Sequence, residues 1–172
     1  MQTDEKTNAS ELSKVAPRQV LTFCLGDETY GVDILRVQEI RGWTQVTRIP
    51  HTSPQVLGVL NLRGSIVPIV DLRVQFSLAK SDFTPLTVIV VLSVQTTAGK
   101  REVGLVVDSV SDVIDIEPAA LKDAPELGSR VSDNFIHGLA TIADRMLILL
   151  DVDELIRHDL EQVKSAALPS AA

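Results

Sequence analysis

The sequence predicts a mainly β protein built from two small barrels of similar topology that share one core. Its 172 residues are 45% hydrophobic but only 3% aromatic, and Val, Leu and Ile, which favour strands, supply most of the apolar content. Two hairpin-like stretches also echo each other. Finally, Thr87–Val94 is a nearly continuous apolar run, which is typical of a strand buried on both faces between two layers of core.

The first elements follow from apolar periodicity and turn residues. Residues 1–17 are polar and lack such periodicity, so we expect a mobile tail. Residues 18–25 alternate like a strand, and a return strand follows over 29–32. Asp33 is then expected to cap a short helical segment, because Ile34, Val37 and Ile40 recur at a spacing of three. Arg36 and Glu39 would face solvent on that segment.

The next stretch predicts two short elements and then a hairpin over residues 56–73. Residues 45–49 are expected to form a short strand, and a helical turn should run from Thr52 or Ser53 to Leu57. In the hairpin, a turn at Arg63-Gly64-Ser65 separates two β-branched runs. Pro68 cannot donate a ladder hydrogen bond, so its strand should be an edge strand or be bulged there.

Arg63 can be interpreted in two ways. A guanidinium at a hairpin tip is held outward and is free to bind a carboxylate. The alternative is an ordinary solvated turn arginine.

The second half of the chain predicts further strands and a terminal helix. We expect a connector over 77–85, a long polar loop over 117–134, and a final helix from Glu154 to about Val163, capped by Asp153. The C-terminal end of that helix and a tail occupy 157–172. The expected strands cover 87–94, 101–107, 110–116, 135–142 and 146–152.

An internal repeat supports the two-barrel prediction. Gly58 and Asp71 lie over Gly138 and Asp151 at an offset of 80 residues (138 − 58). Gly31 lies over Gly104 at an offset of 73 residues (104 − 31). Approximate repeats of 18–80 and 86–152 follow. Each would have a thin core alone, so the two should share one.

Composition argues against several classes of function. The net charge is −7 and no run of Lys and Arg is present, so we expect no nucleic-acid partner. No apolar run approaches the roughly 20 residues of a membrane span, so we expect no membrane insertion. The single cysteine, Cys24, is interpreted as a small core residue and suits a reducing cytoplasm.

Catalytic and metal-binding patterns are absent from the sequence. The three histidines are scattered, and no pattern pairs any of them with a nucleophile. Asp151, Asp153 and Glu154 lack the surroundings of a calcium loop and are better interpreted as a helix cap. We therefore expect no enzyme, no metal and no cofactor, and these absences favour an interaction module.

Four stretches of the sequence, residues 30–42, 61–73, 104–113 and 144–149, share features with one known family. Over about 18–156 the chain resembles the CheW family of chemotaxis coupling proteins. The resemblance implies two SH3-like five-stranded barrels with a common core, joined by short helices, and a non-catalytic cytoplasmic adaptor. Such an adaptor binds the cytoplasmic hairpin tip of transmembrane chemoreceptors and the regulatory domain of the CheA histidine kinase. The chain has no room for a kinase or receiver domain, which favours a free-standing adaptor.

The resemblance also implies contact residues. The expected receptor contacts are Val37, Glu39, Arg63, Val88, Val110 and Val113. Kinase contacts are expected near Lys122 and Leu127, although the family often has an aromatic residue at the latter position. The second hairpin has Ala143 in place of Arg63, so a barrel does not need arginine there.

Two alternative functions remain at this stage. One is an adaptor of the same fold in a parallel pathway, such as type IV pilus motility. The other is a small β-barrel enzyme or ligand carrier, which would need a closed pocket with convergent polar groups.

Overall fold

The structure, a computed structural model, describes residues 19–78, 82–123 and 135–157. Within these ranges it is mainly β, with two five-stranded sheets that form SH3-like barrels, so the predicted fold class is confirmed. The predicted N-terminal tail and the end of the final helix lie outside the described residues. The strands are β1 Gln19–Leu25, β2 Glu28–Asp33, β3 Val37–Gly42, β4 Val56–Leu62, β5 Ser65–Asp71, β6 Val88–Thr96, β7 Gly99–Val107, β8 Ser109–Asp115, β9 Ile136–Ile142 and β10 Arg145–Leu150.

Short helical segments join or follow the strands in the described residues. Helix α1 is Leu72–Gln75, and 3₁₀ turns occupy Ile34–Arg36 and Pro118–Ala120. Helix α2 covers 152–157 of the described chain. The helical segments therefore lie at the ends of strands, and the barrels themselves consist of β-sheet.

The two sheets use the chain differently. One has the order β3-β6-β7-β5-β4, and we call it the continuous barrel because its strands are consecutive. The other has the order β8-β1-β2-β10-β9, and we call it the split barrel. Each contains a parallel pair, β5 with β7 and β2 with β10. The chain thus crosses between barrels after β2 and again after β7. The boundaries of the two sequence repeats stay a prediction.

Each barrel is closed by a residue outside its named strands. Thr47 exchanges two backbone hydrogen bonds with Val59 of β4, at 2.8 and 3.0 Å. Lys122 does the same with Leu139 of β9, at 2.7 and 2.8 Å. Val59 and Leu139 are 80 residues apart, so the two barrels close at positions that the hairpin repeat relates.

Apolar side chains form three clusters: one inside each barrel and one between the barrels. Strand β6 contributes to two of them, as predicted for a strand with two buried faces. Ile89 and Val91 face the interior of the continuous barrel, whereas Val90, Leu92 and Val94 enter the shared core. The shared core also takes residues from β1, β2 and β10 of the split barrel. The predicted common core is therefore present.

The helical segment predicted after Asp33 is wrong beyond its first turn. The Asp33 carboxylate accepts a hydrogen bond from the Leu35 N–H at 2.9 Å and caps a 3₁₀ turn that ends at Arg36. The chain then enters β3, where the register shifts between Val37 and Glu39. This irregularity disrupts the strand alternation, which is why a spacing of three resembled a helix.

Four other local predictions also need correction. The strand predicted over 45–49 is reduced to the bridge at Thr47, and β4 begins at Val56, within the predicted helical turn. Strand β5 is an inner strand, although its ladder with β7 starts at Ile69, just after Pro68. Helix α2 is capped by Asp151, which accepts hydrogen bonds from the backbone of Asp153 and Glu154, so Asp153 is not the cap.

Candidate interaction surface

The β4–β5 hairpin presents Arg63 to solvent. Arg63 and Gly64 have φ angles of 52° and 87°, and positive φ at both central residues is what a two-residue type I′ turn requires. The Asn61 side chain accepts a hydrogen bond from the Gly64 N–H at 2.9 Å, which fixes the turn. The Arg63 side chain is 80% exposed, so the turn holds it outward as predicted.

Arg63 is paired with another predicted contact residue. Its Nη2 lies 2.7 Å from Glu39 Oε2, and Arg41 Nη1 lies 4.0 Å from the other carboxylate oxygen. The carboxylate that Arg63 binds is therefore one from its own chain. Exposed ion pairs contribute only about 0.2–1 kcal/mol. A partner can consequently bridge or replace this pair at little energetic cost.

A small cleft adjoins the ion pair. Its volume is about 110 Å³, and it is lined by Gln38, Glu39, Leu62, Arg63, Ser65, Val91 and Glu102. Small-molecule sites typically measure roughly 300–1,000 Å³. This cleft is too small for such a site and does not support a ligand carrier.

The four valines predicted to contact the receptor lie on both barrels. Val37 and Val88 belong to the β3–β6 ladder, but Val37 pairs with Leu92 and Val88 pairs with Gly42, so they lie at opposite ends of it. Val110 lies on β8 of the split barrel. These three valines are half-buried and pack against the shared core. Each can therefore have a packing role as well as an exposed edge.

Val113 differs from the other three valines. It lies on β8 opposite Leu21 of β1 and is 43% exposed, so its side chain is accessible to a partner. Of the six predicted receptor contacts, the structure joins Glu39 and Arg63 directly. It places the valines on the strands around the boundary between the barrels.

Of the two predicted kinase contacts, Lys122 lies within the described residues and Leu127 does not. The backbone of Lys122 closes the split barrel, and its side chain is exposed. The backbone of Lys122 is thus held by two hydrogen bonds, and its side chain is accessible to a partner.

Sequence reasoning missed the ion pairs that connect the crossovers between the barrels to the helices. Arg36, predicted to face solvent, instead makes a bidentate ion pair with Asp153 at 2.9 and 3.0 Å. Arg73 is 4% exposed and pairs with Asp71 at 3.0 Å and with Asp108 at 3.5 Å. One signal was available, since the repeat offset of 80 places Arg73 over Asp153.

Two side chains have perturbed ionisation. The hydrogen bond that Arg73 donates to Asp71 raises the pKa of the guanidinium, although burial opposes this. Burial, and then the nearby Glu28 carboxylate, raise the pKa of Tyr30. Arg73 therefore stays charged and Tyr30 stays neutral. Tyr30 stacks between Phe23 and Phe76 in the shared core.

Comparison with known proteins identifies the family. The family model described as the CheW-like domain matches residues 19–160. The chain belongs to the CheW-like domain family. It is 46% identical over 142 residues to the chemotaxis protein CheW of Klebsiella aerogenes, covering 83% of each chain. It is 36% identical over 149 residues to the chemotaxis protein CheW of Rhizobium meliloti, covering 87% of this chain and 94% of the relative.

A solved structure agrees with the assignment to the CheW-like domain family. The crystal structure of the scaffolding protein TtCheW from Thermoanaerobacter tengcongensis matches with a TM-score of 0.73 and 30% identity. The match covers 82% of this chain and 93% of that one, so it extends over both barrels.

The described part of the CheW-like domain contains no helix with the length and hydropathy of a membrane span. No group of three or more His, Cys, Asp or Glu side chains in it could hold a metal ion.

Proposed function

We propose that this chain is a non-catalytic adaptor that couples transmembrane chemoreceptors to a CheA-type histidine kinase. The observation that carries the proposal is the match to the CheW-like domain over 19–160, which contains every predicted contact residue. The adaptor would work in the cytoplasm, where the receptor tip and the kinase are accessible to it, and would join receptor arrays there.

The receptor surface of this proposal lies around β3, β8 and the β4–β5 turn. A helical receptor tip would place its apolar residues against Val37, Val88, Val110 and Val113. Glu39 and Arg63 would lie at the rim, where charges set register and association rate more than affinity. Their exposed ion pair and the exposed Val113 are the features that support this arrangement.

The kinase surface of the proposal lies elsewhere. The regulatory domain of the kinase would contact the split barrel near Lys122 and Leu127, with a second contact on the first half of the chain. The exposed Lys122 side chain on a closed backbone bridge supports this site. Separate receptor and kinase surfaces would allow both partners to bind at once, as coupling requires.

Reconstitution with receptor and kinase tests the proposal. We expect the wild-type chain to stimulate receptor-dependent kinase activity. Glu39→Lys should reduce that stimulation, because it replaces the carboxylate beside Arg63 and Arg41 with a third cation. The matched control is Asp27→Lys, which makes the same charge change at an exposed turn of the split barrel. Circular dichroism should show that both variants fold.

Two results would count against the proposal. A wild-type chain that gives no stimulation would contradict the adaptor function. Equal losses for Glu39→Lys and Asp27→Lys would contradict the assigned receptor surface, because net charge alone would then explain the effect.

A further inference from the structure

Each crossover between the barrels carries a charged residue that is paired with a helix. Arg36 ends the 3₁₀ turn between β2 and β3, and its two Nη atoms donate to the Asp153 carboxylate of α2 at 3.0 and 2.9 Å. Asp108 lies between β7 and β8, and its Oδ1 is 3.5 Å from Nη1 of Arg73 in α1. We call these ion pairs the crossover pairs.

The crossover pairs occupy corresponding positions with opposite signs. Arg73 and Asp153 each lie two residues after the aspartate that caps their helix, Asp71 or Asp151. Arg73 supplies a cation to an acidic crossover, whereas Asp153 supplies an anion to a basic one. An exchange of helices would place like charges together, so the sign reversal favours one arrangement of the two barrels.

The Arg36–Asp153 pair links parts of both barrels. Asp153 lies in α2, which follows β10 of the split barrel, yet its Oδ1 accepts a hydrogen bond from the Gln95 N–H of β6 at 2.8 Å. Arg36 also donates to the Ser93 carbonyl of β6 at 3.4 Å. The pair therefore connects the end of the split barrel to the continuous barrel.

The Arg73–Asp108 pair links the helix that follows the continuous barrel to the split barrel. Arg73 lies in α1, which follows β5 of the continuous barrel. Asp108 Oδ2 accepts a hydrogen bond from the Gly26 N–H, in the β1–β2 turn of the split barrel, at 2.8 Å. Each crossover pair thus joins a helix that follows one barrel to backbone of the other.

The predicted receptor contacts begin immediately after the crossover residues. Val37, the first residue of β3, directly follows Arg36, and Glu39 is two residues further along. Strand β8 begins directly after Asp108 and carries Val110 and Val113. A displacement of either crossover would therefore move the strand that carries these side chains.

We propose that the crossover pairs fix the relative position of the two barrels, and that Arg36 and Asp153 are thereby positioning residues for receptor binding. This inference rests on the proposed adaptor function. A charge-assisted bidentate pair suits the role because it restrains direction as well as distance. Apolar packing in the shared core lacks that directionality.

The Arg36–Asp153 pair is the better one to alter. Its side chains are 33% and 23% exposed, so removal of one partner leaves the other accessible to water. Arg73 is 4% exposed, and its removal would leave Asp71 without its buried partner. Asp153→Asn also keeps an oxygen that can accept from the Gln95 N–H while it removes the charge.

The test measures binding of a soluble cytoplasmic fragment of a methyl-accepting chemotaxis protein that contains the hairpin tip. We expect Arg36→Ala and Asp153→Asn each to weaken binding roughly tenfold. Arg36→Lys should restore part of the affinity, because it keeps the charge but loses the bidentate geometry. The matched control, Arg157→Ala, removes an exposed ion pair with Glu154 that lies within α2, and it should leave binding unchanged.

A second experiment measures the distance between the two barrels without any receptor. Spin labels at Ala98, in the exposed β6–β7 turn, and at exposed Arg145, at the start of β10, report the distance between barrels in a Cys24→Ser background. The distance distribution should broaden in Arg36→Ala and Asp153→Asn and stay narrow in Arg157→Ala. Circular dichroism confirms folding, and if Arg36→Ala does not fold, Asp153→Asn supplies both measurements.

The two readouts separate this inference from the proposed function. Unchanged distances, or unchanged receptor binding in variants whose wild type binds, would overturn the inference. A wild-type chain that does not bind the receptor fragment would instead contradict the adaptor function. The label distances would then still decide whether the pairs fix the barrels.

Discussion

Close approach of neighbouring residues explains why four positions in the repeat are glycine. A Cβ built on Gly31 would lie 2.4 Å from Val20 Cγ1, and one on Gly104 would lie 2.6 Å from Ile69 Cδ1. A Cβ on Gly58 would lie 2.1 Å from the backbone oxygen of Thr47, and Gly138 meets the corresponding closing residue. Each repeated glycine thus lies where neighbouring atoms leave no space for a side chain.

Substitution at Gly58 should therefore be costly. Gly58→Ala would place a methyl group against the Thr47 backbone at a φ of +150°, so we expect a loss of about 2–3 kcal/mol in the free energy of unfolding. Gly42→Ala is the matched control, because its Cβ would meet nothing within 4 Å, and it should change stability by less than about 0.5 kcal/mol. Urea unfolding measures both, and similar losses would contradict the closure argument.

At the scale of elements, the same capping aspartate has a different environment in each barrel. Asp71 accepts from the Arg73 backbone at 3.0 Å and also forms a buried bidentate pair with the Arg73 side chain. Asp151 accepts only from backbone N–H groups in the contacts described here, those of Asp153 and Glu154. The first aspartate is a cap and a counter-ion, whereas the second acts as a cap.

Truncation of the two caps should separate these roles. Asp151→Ala removes a helix cap and should cost about 0.5–2 kcal/mol. Asp71→Ala also removes the bidentate carboxylate from the buried Arg73, so we expect about 3–5 kcal/mol. Thermal and urea unfolding of both variants measure the difference. Equal costs would show that the buried pair adds nothing to the cap.

The predictable elements are those whose signal is local. The two hairpins and the doubly buried strand β6 were predicted from β-branched runs and turn residues. Strand β3 was predicted as a helix because its register shift after Val37 disrupts the alternation that marks a strand. Asp153 was predicted as a cap for an equally local reason, because it adjoins the helix. Its carboxylate instead binds Arg36, which is far away in the sequence.

The features that could not be predicted depend on contacts between residues that are far apart in the sequence. Arg36 and Asp153 are separated by 117 positions, and no spacing rule connects them. The Glu39–Arg63 pair joins two predicted contact residues, yet no local pattern indicates that they bind each other. Side-chain partners across a barrel depend on closure and register, which a pattern read along one chain does not fix.

At the scale of the whole molecule, the shared core makes the two barrels one thermodynamic unit. Leu105 of β7 is 1% exposed and belongs to the shared core, which contains residues of both barrels, such as Phe23 of β1. Neither barrel can unfold without exposing the apolar face of the other. Unfolding should therefore be a single cooperative transition.

Truncation in the shared core tests this cooperativity. Leu105→Ala should lower the free energy of unfolding by about 2–5 kcal/mol and keep one transition. The control Leu86→Ala, at a side chain that is 69% exposed, should have little effect. Scanning calorimetry and urea unfolding give the number of transitions and the stability. Two separate transitions in the wild type would show that the barrels unfold independently.

The strand order of the split barrel also has a consequence during synthesis on the ribosome. The continuous barrel can close as soon as β7 has emerged, because all its strands are consecutive. The β1–β2 hairpin emerges first, but its parallel partner β10 ends only at Leu150. At about 5–20 residues per second, that hairpin waits roughly ten seconds for its partner. During that interval Leu21 and Phe23 are only partly buried. Nascent chains are therefore most prone to aggregation before the last hairpin emerges.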